Sequence, residues 1–264
     1  MTFSLVCLHA HPDDEALLTA GTLARAAAEG HRVTLVVATD GAAGLADSGP
    51  GSELAERRIA ELNRSAEALG VHRVVRLGYP DSGMRNEHRG FASVPVAEPA
   101  ERLAEVLAEE RADLLIGYDA NGGYGHPDHV QVHRVARQAR QLAASRPALL
   151  EATVDRTALL RALWLLHRAR LAPPDFRPDR MATAYTARAE LSHRVNVRGY
   201  LDAKRAAMRA HASQAGGGTD TRTLAYCLKL PRPLYRLAFG VEWFVEPDRP
   251  AGSPVSGDIF ASLR

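Results

Sequence analysis

Two strand-length runs, Leu5-Val6-Cys7-Leu8-His9-Ala10 and Val33-Thr34-Leu35-Val36-Val37-Ala38, flank one helix-patterned segment, residues 15–29, that closes at Gly30. The second run is unbroken and β-branched, the pattern of a parallel strand covered on both faces. Together the three segments predict a right-handed β-α-β unit at the start of the chain. The alternation continues with a helix over 52–69 stopped by Gly70, a strand over 73–78, a helix over 98–111, a strand over 113–118 and a helix over 127–144 that begins at Pro127, a residue suited to a first helical turn. Strand and helix alternating over residues 3–144 predict an α/β, Rossmann-like three-layer fold with a mostly parallel sheet between helices.

At 264 residues the chain is long enough to bury one large core. It divides into a Rossmann-like core, 1–148, and a smaller, less regular C-terminal region, 149–264, that completes the pocket within one continuous domain. The latter is expected to hold a strand and a helix within 149–170, a Pro-rich connection at 172–178, a strand over 190–197, a helix over 199–212, a glycine break at 216–218 and a last strand over 241–245.

Where the first strand ends the sequence reads His11-Pro12-Asp13-Asp14-Glu15, and beyond the fourth strand it reads Tyr124-Gly125-His126-Pro127-Asp128-His129. Both clusters sit at carboxyl ends of predicted strands, the edge where open α/β sheets bind ligands, so segments distant in sequence can face one pocket. The Gly-x-Gly-x-x-Gly fingerprint of dinucleotide binding is absent after strand 1, and the carboxylates there would repel a pyrophosphate. Borderline ions such as zinc accept imidazole nitrogen and carboxylate oxygen, and catalytic zinc sites use three protein ligands while leaving a position for water. His11, Asp14 and His129 would supply such a set, with Zn2+ the expected ion and Fe2+ an alternative occupant. Asp13 or Asp14 is also well placed as a helix N-cap. His129 and His133, four residues apart on one helix, form a rival ligand pair, and His9 reads as a packed histidine behind the ligands.

A formal charge of +2, with arginine scattered along the chain, argues against a nucleic-acid partner. The two cysteines, Cys7 and Cys227, fit buried, reduced thiols. The first residues carry no signal-peptide pattern and no apolar run is long enough to cross a bilayer. A cytoplasmic protein without a membrane anchor is expected, and a homo-oligomer is left open.

The two main motifs, on a β-α-β start, resemble those of the PIG-L/LmbE-type zinc-dependent N-acetylglucosaminyl deacetylases, which include mycothiol and bacillithiol biosynthetic deacetylases and a related mycothiol-conjugate amidase. The resemblance covers residues 3–144. It implies His11, Asp14 and His129 as zinc ligands and Asp13 as general base. It further implies His126 as the oxyanion stabiliser, steered by Asp128, with Tyr124 as a further polar contact. Asp81-Ser82-Gly83-Met84 and Arg58-x-x-Glu61-Leu62 also look like family features, implying Asp81, Met84 and Arg58 as substrate contacts, and His211-Ala-Ser-Gln214 resembles a segment returning to the site. Without the resemblance, Arg58 reads as a solvated arginine, Asp81 as a turn residue after Pro80, Tyr124 as a loop aromatic and His211 as a surface residue.

The implied reaction is removal of an N-acetyl group from an amino-sugar small molecule containing N-acetylglucosamine. An amidase cutting a larger acyl arm and a tailoring deacetylase of an amino-sugar natural product are the close alternatives. A non-catalytic sugar-binding protein on the same scaffold is the rival from another class, and the intact set of ligands and base argues against it. Pocket shape is expected to depend on loops 40–51 and 86–97 and on the C-terminal third.

Overall fold

The structure, a computed structural model, describes residues 1–41, 52–84, 89–169, 182–215, 223–250 and 252–264. In chain order its elements are β1 (Ser4–His9), α1 (Asp14–Leu18), α2 (Ala20–Ala28), β2 (Arg32–Thr39), α3 (Ser52–Ala68), β3 (Arg73–Tyr79), α4 (Ala97–Glu109), β4 (Leu114–Tyr118), α5 (Pro127–Leu142), β5 (Ala148–Thr153), α6 (Arg156–Arg168), β6 (His193–Asn196), α7 (Leu201–Ala210), α8 (Ala212–Ala215), α9 (Thr223–Lys229), α10 (Arg232–Phe239) and β7 (Val241–Val245). The strands form one sheet in the order β3-β2-β1-β4-β5-β7-β6. Strands β1 to β5 are parallel, β7 runs against β5, and β6 runs against β7.

Helices cover both faces of the sheet. On one, α1, α2 and α3 gather on α7; on the other, α4 and α5 pack on each other, with α5 against β1 and β4. β1 and β4 are wholly buried, as unbroken apolar runs in a covered parallel sheet must be. From β1 the chain steps outward to β2 and β3, then returns to lay β4 along the other side of β1. Strand order reverses there, so the carboxyl ends of β1 and β4 open onto one crevice.

Several local expectations are revised. The helix expected over 15–29 is interrupted at Thr19, whose φ is −130° and whose hydroxyl lies 2.8 Å from His9 Nε2. The break starts α2 beside Glu242, whose carboxylate accepts the N–H groups of Gly21 (2.9 Å) and Thr22 (2.7 Å) and thereby neutralises a helix N-terminus. Lys204 Nζ completes the junction, 2.6 Å from Glu242 and donating to Leu17 O at 2.8 Å. A Cβ at Gly21 would stand 2.5 Å from Val197 Cβ, so only glycine allows this approach. Helices α9 and α10 were not anticipated. The loop expected at 40–51 lies outside the described residues beyond Gly41, as do the connection at 172–178, the break at 216–218 and the start of the 86–97 loop. Among the described residues no helix is long and apolar enough to cross a membrane.

Candidate metal centre and its surroundings

After β1 the backbone turns sharply at Asp13, whose φ of 124° is rare outside glycine, costs about 1–3 kcal/mol and persists only where its surroundings enforce it. Here they do. Its N–H donates to Glu15 Oε2 at 3.0 Å, and its Oδ1 accepts from Arg58 Nη2 at 3.0 Å. Arg58 also donates to the carbonyls of Pro12 (2.5 Å) and Gly41 (2.6 Å). Asp13 occupies the position before α1 yet makes no capping hydrogen bond. The neighbouring Asp14 turns the other way, its Oδ2 accepting the His11 N–H at 2.8 Å, so neither aspartate caps the helix.

That same Asp14 oxygen lies 3.3 Å from His11 Nδ1 and 3.3 Å from His129 Nε2. Ligands bonded at about 2.0–2.1 Å around a tetrahedral ion stand about 3.3 Å apart. His126 joins them: one nitrogen from each of His11, His126 and His129 lies within 4.8 Å of the others. Neither buried ring nitrogen of His129 makes a hydrogen bond, an unusual state for buried polar atoms that a bound cation would relieve. These residues therefore fit a metal ion.

Electrostatics point the same way. Burial works against the charged form of His11, but Asp128, Asp14 and Asp81 outweigh it and raise its pKa well above the usual value. Burial likewise opposes the charge on Asp14, yet His129 and His11 hold its pKa well below the ordinary carboxylate range. Three carboxylates around one imidazole are balanced by a proton, and equally by a cation. At Asp13 burial prevails over the nearby Arg58 and raises the pKa.

His126 caps α5 and its Nδ1 accepts the Asp128 N–H at 3.2 Å, which places the proton of the neutral ring on Nε2. Burial, with His11 and His129 adjacent, lowers its pKa to about 4. Asp128 thus contacts His126 through its backbone N–H. The carboxylate, fully buried, accepts instead from Ser82 N–H (3.0 Å), Ala92 N–H (2.9 Å) and His11 Nε2 (3.1 Å).

Asp81 stands 3.5 Å from His11 Nε2 and accepts the Gly83 N–H at 2.8 Å. Tyr124 and Met84 are 44% and 56% exposed, and the Tyr124 ring lies 5.0 Å from that of His129. His9 is packed in the interior, bonded to Tyr118 Oη and Thr19 Oγ1. His133 faces away, toward Tyr118 O (3.0 Å) and Glu151 (3.3 Å), so the rival pair with His129 does not assemble. Arg58 and His211 are 3% and 0% exposed, neither solvated nor open to a ligand. Both stand behind Asp13, Arg58 directly and His211 through Glu15, 2.6 Å away. Sequence reasoning gave no role to Glu15, Glu61, Ser65 or Ser82. The available signal was the spacing of Arg58, Glu61 and Ser65, which puts three polar groups on one helix face.

A family model described as PIG-L, GlcNAc-PI de-N-acetylase, matches residues 6–140. A 1D-myo-inositol 2-acetamido-2-deoxy-alpha-D-glucopyranoside deacetylase of Saccharomonospora viridis is 38% identical over 247 residues, 87% of this chain and 91% of that one. Among solved structures, a conserved protein of Thermus thermophilus aligns over 97% of this chain and 99% of its own with a TM-score of 0.62 and 24% identity. The 4-carboxy-2-hydroxymuconate hydratase of Pseudomonas putida aligns over 97% and 100% with a TM-score of 0.61 at 14% identity. The fold therefore hosts more than one chemistry, and the reaction has to be argued from the site.

Proposed function

We infer that this chain, which belongs to the PIG-L family of GlcNAc-PI de-N-acetylases, is a metal-dependent hydrolase that removes the acetyl group from an N-acetylglucosaminyl small molecule, with an N-acetylglucosaminyl inositol as its first candidate substrate. The observation that carries this reading is the divergence of two adjacent aspartates. Asp14 shares one oxygen between His11 and His129, while Asp13 turns onto Arg58.

His11, Asp14 and His129 would hold the ion, and nitrogen and oxygen donors in this ratio suit Zn2+, with Fe2+ the alternative. When bound, such an ion supplies Lewis acidity that polarises the acetyl carbonyl and lowers the pKa of water. Asp13 takes the proton from the attacking water and returns it to the leaving nitrogen, giving acetate and a free amine. His126 offers its Nε2–H to the developing oxyanion. Asp81, Met84 and Tyr124 would contact the sugar. Strands β5, β7 and β6 continue the sheet begun by the core, which supports treating 1–148 and 149–264 as one folded unit.

The test is deacetylation by chelator-stripped and metal-reconstituted protein. Acetate and primary amine are expected in equal amounts from the N-acetylglucosaminyl inositol, and only after reconstitution. Asp13→Ala should retain stoichiometric metal while turnover falls about 10²- to 10⁴-fold. A reconstituted protein that releases neither product from this compound or from other N-acetylglucosamine conjugates would overturn the reading.

A further inference from the structure

Arg58, Glu61 and Ser65 occupy one face of α3 at i, i+3 and i+7, a spacing that ordinarily turns apolar side chains into a core. All three are nonetheless buried, at 3%, 1% and 0% exposure. A buried polar stripe destabilises a helix interface unless each group finds a partner, and here the partners, Asp13 for Arg58, Ser213 for Glu61 and Glu15 for Ser65, belong to one network around Asp13. Ser65 Oγ donates to Glu15 Oε1 at 2.6 Å, and His211 Nε2 lies 2.6 Å from the same oxygen. The other Glu15 oxygen accepts the Asp13 N–H. Glu61 accepts from both Ser213 N–H (2.8 Å) and Ser213 Oγ (2.6 Å), which fixes the turn carrying His211. Arg58 grips the Asp13 carboxylate. Asp13, at its left-handed φ, is therefore held at both ends, and the charges pair off as Glu15 with His211 and Asp13 with Arg58.

We propose that this polar face of α3, acting through Glu15 and His211, is a positioning device for Asp13, with Glu15 as its pivot. Glu15 is fully buried and touches no reacting atom; it acts through the backbone of the residue that does. The proposal rests on Asp13 being the base. An apolar stripe would pack α3 as well, but would leave the Glu15 carboxylate without the Ser65 hydroxyl and the Asp13 carboxylate without Arg58, free to follow the backbone out of the left-handed region.

The experiment is a double-mutant cycle on the metal-reconstituted full chain with the N-acetylglucosaminyl inositol as substrate, reading kcat, KM, metal content and Tm. Glu15→Gln keeps the side-chain volume but leaves one acceptor oxygen for three donors. It should lower kcat about 10- to 100-fold, the range for residues that orient others at metal sites, with KM within about twofold and metal stoichiometric. In the Asp13→Ala background, measured over long incubations, the same change should cost less than about twofold, because coupled residues are not additive. Ser65→Ala, a milder change, should follow the same pattern with a smaller loss and covers the case in which Glu15→Gln does not fold. Equal losses in both backgrounds, parallel loss of metal, or unchanged kcat in Glu15→Gln would overturn the positioning role. Full turnover in Asp13→Ala alone would instead overturn the base assignment.

Discussion

In the Asp128 carboxylate three hydrogen bonds meet, from Ser82, Ala92 and His11. A metal-binding histidine commonly gives its second ring N–H to a carboxylate, which sets its tautomer and aim. Asp128→Asn is therefore expected to weaken metal affinity about 10- to 100-fold. His126→Ala should instead leave metal affinity nearly unchanged while kcat falls about 10²- to 10³-fold, as for loss of one oxyanion donor. Competition with a graded chelator separates the two; Asp128→Asn binding metal as tightly as the parent would remove Asp128 from the support of His11. The positions of His11, Asp14 and His129 at two strand ends were legible in the sequence. The opposite orientations of Asp13 and Asp14 were not, because they are settled by Arg58 on a distant helix and by a φ that no local pattern announces.

Among the elements, the junction of α2, α7 and β7 depends on an ion pair, since Lys204 and Glu242 are 1% and 3% exposed. Removing one partner of a buried pair leaves the other charge uncompensated and typically costs about 3–5 kcal/mol. Lys204→Ala should show that loss in urea unfolding, whereas a change below about 1 kcal/mol would mean the pair contributes little beyond surface level. The parallel strands were readable from their short apolar runs, β-branched in β2. The break at Thr19 was not, since the helical spacing runs through it and the nearby Gly21 falls inside the second helix. Nor was α10, whose sequence begins Arg232-Pro233 and leaves Leu234 and Leu237 52% and 77% exposed, a pattern that marks neither a covered face nor a turn.

For the whole molecule, Glu110 secures the edge of the sheet opposite the crevice. Its carboxylate accepts from Arg32 Nε (2.8 Å) and Arg73 Nη1 (2.7 Å), at the starts of β2 and β3, and its carbonyl accepts from Ser4 Oγ at the start of β1. Burial raises its pKa, but Arg32 and Arg73 prevail and hold it below the usual 4.5. Its stabilising contribution is present above pH 4.5 and is lost as pH falls through the lower folded value. The Tm gap between the parent and Glu110→Gln should accordingly stay constant from neutrality to about pH 5.5 and narrow on further acidification; a gap unchanged at pH 3 would count against it. The three-layer plan followed from the alternation of strand and helix. The insertion of β7 between β5 and β6 did not, because pairs such as Glu151 with Val245 are chosen by long-range backbone contact.

The two borders of that sheet limit how copies of the chain can associate. Outermost β3 carries Arg73 and Arg76 on exposed positions, and charged side chains on an edge discourage strand addition. At the far border, β6 is only four residues long, and Ser256 bridges the start of its outer side, through Arg194 N–H to Ser256 O (2.8 Å) and Ser256 N–H to Ser192 O (2.9 Å). With both borders defended, recruitment of further strands into fibres or swapped sheets is disfavoured, and self-association is left to the helical exterior.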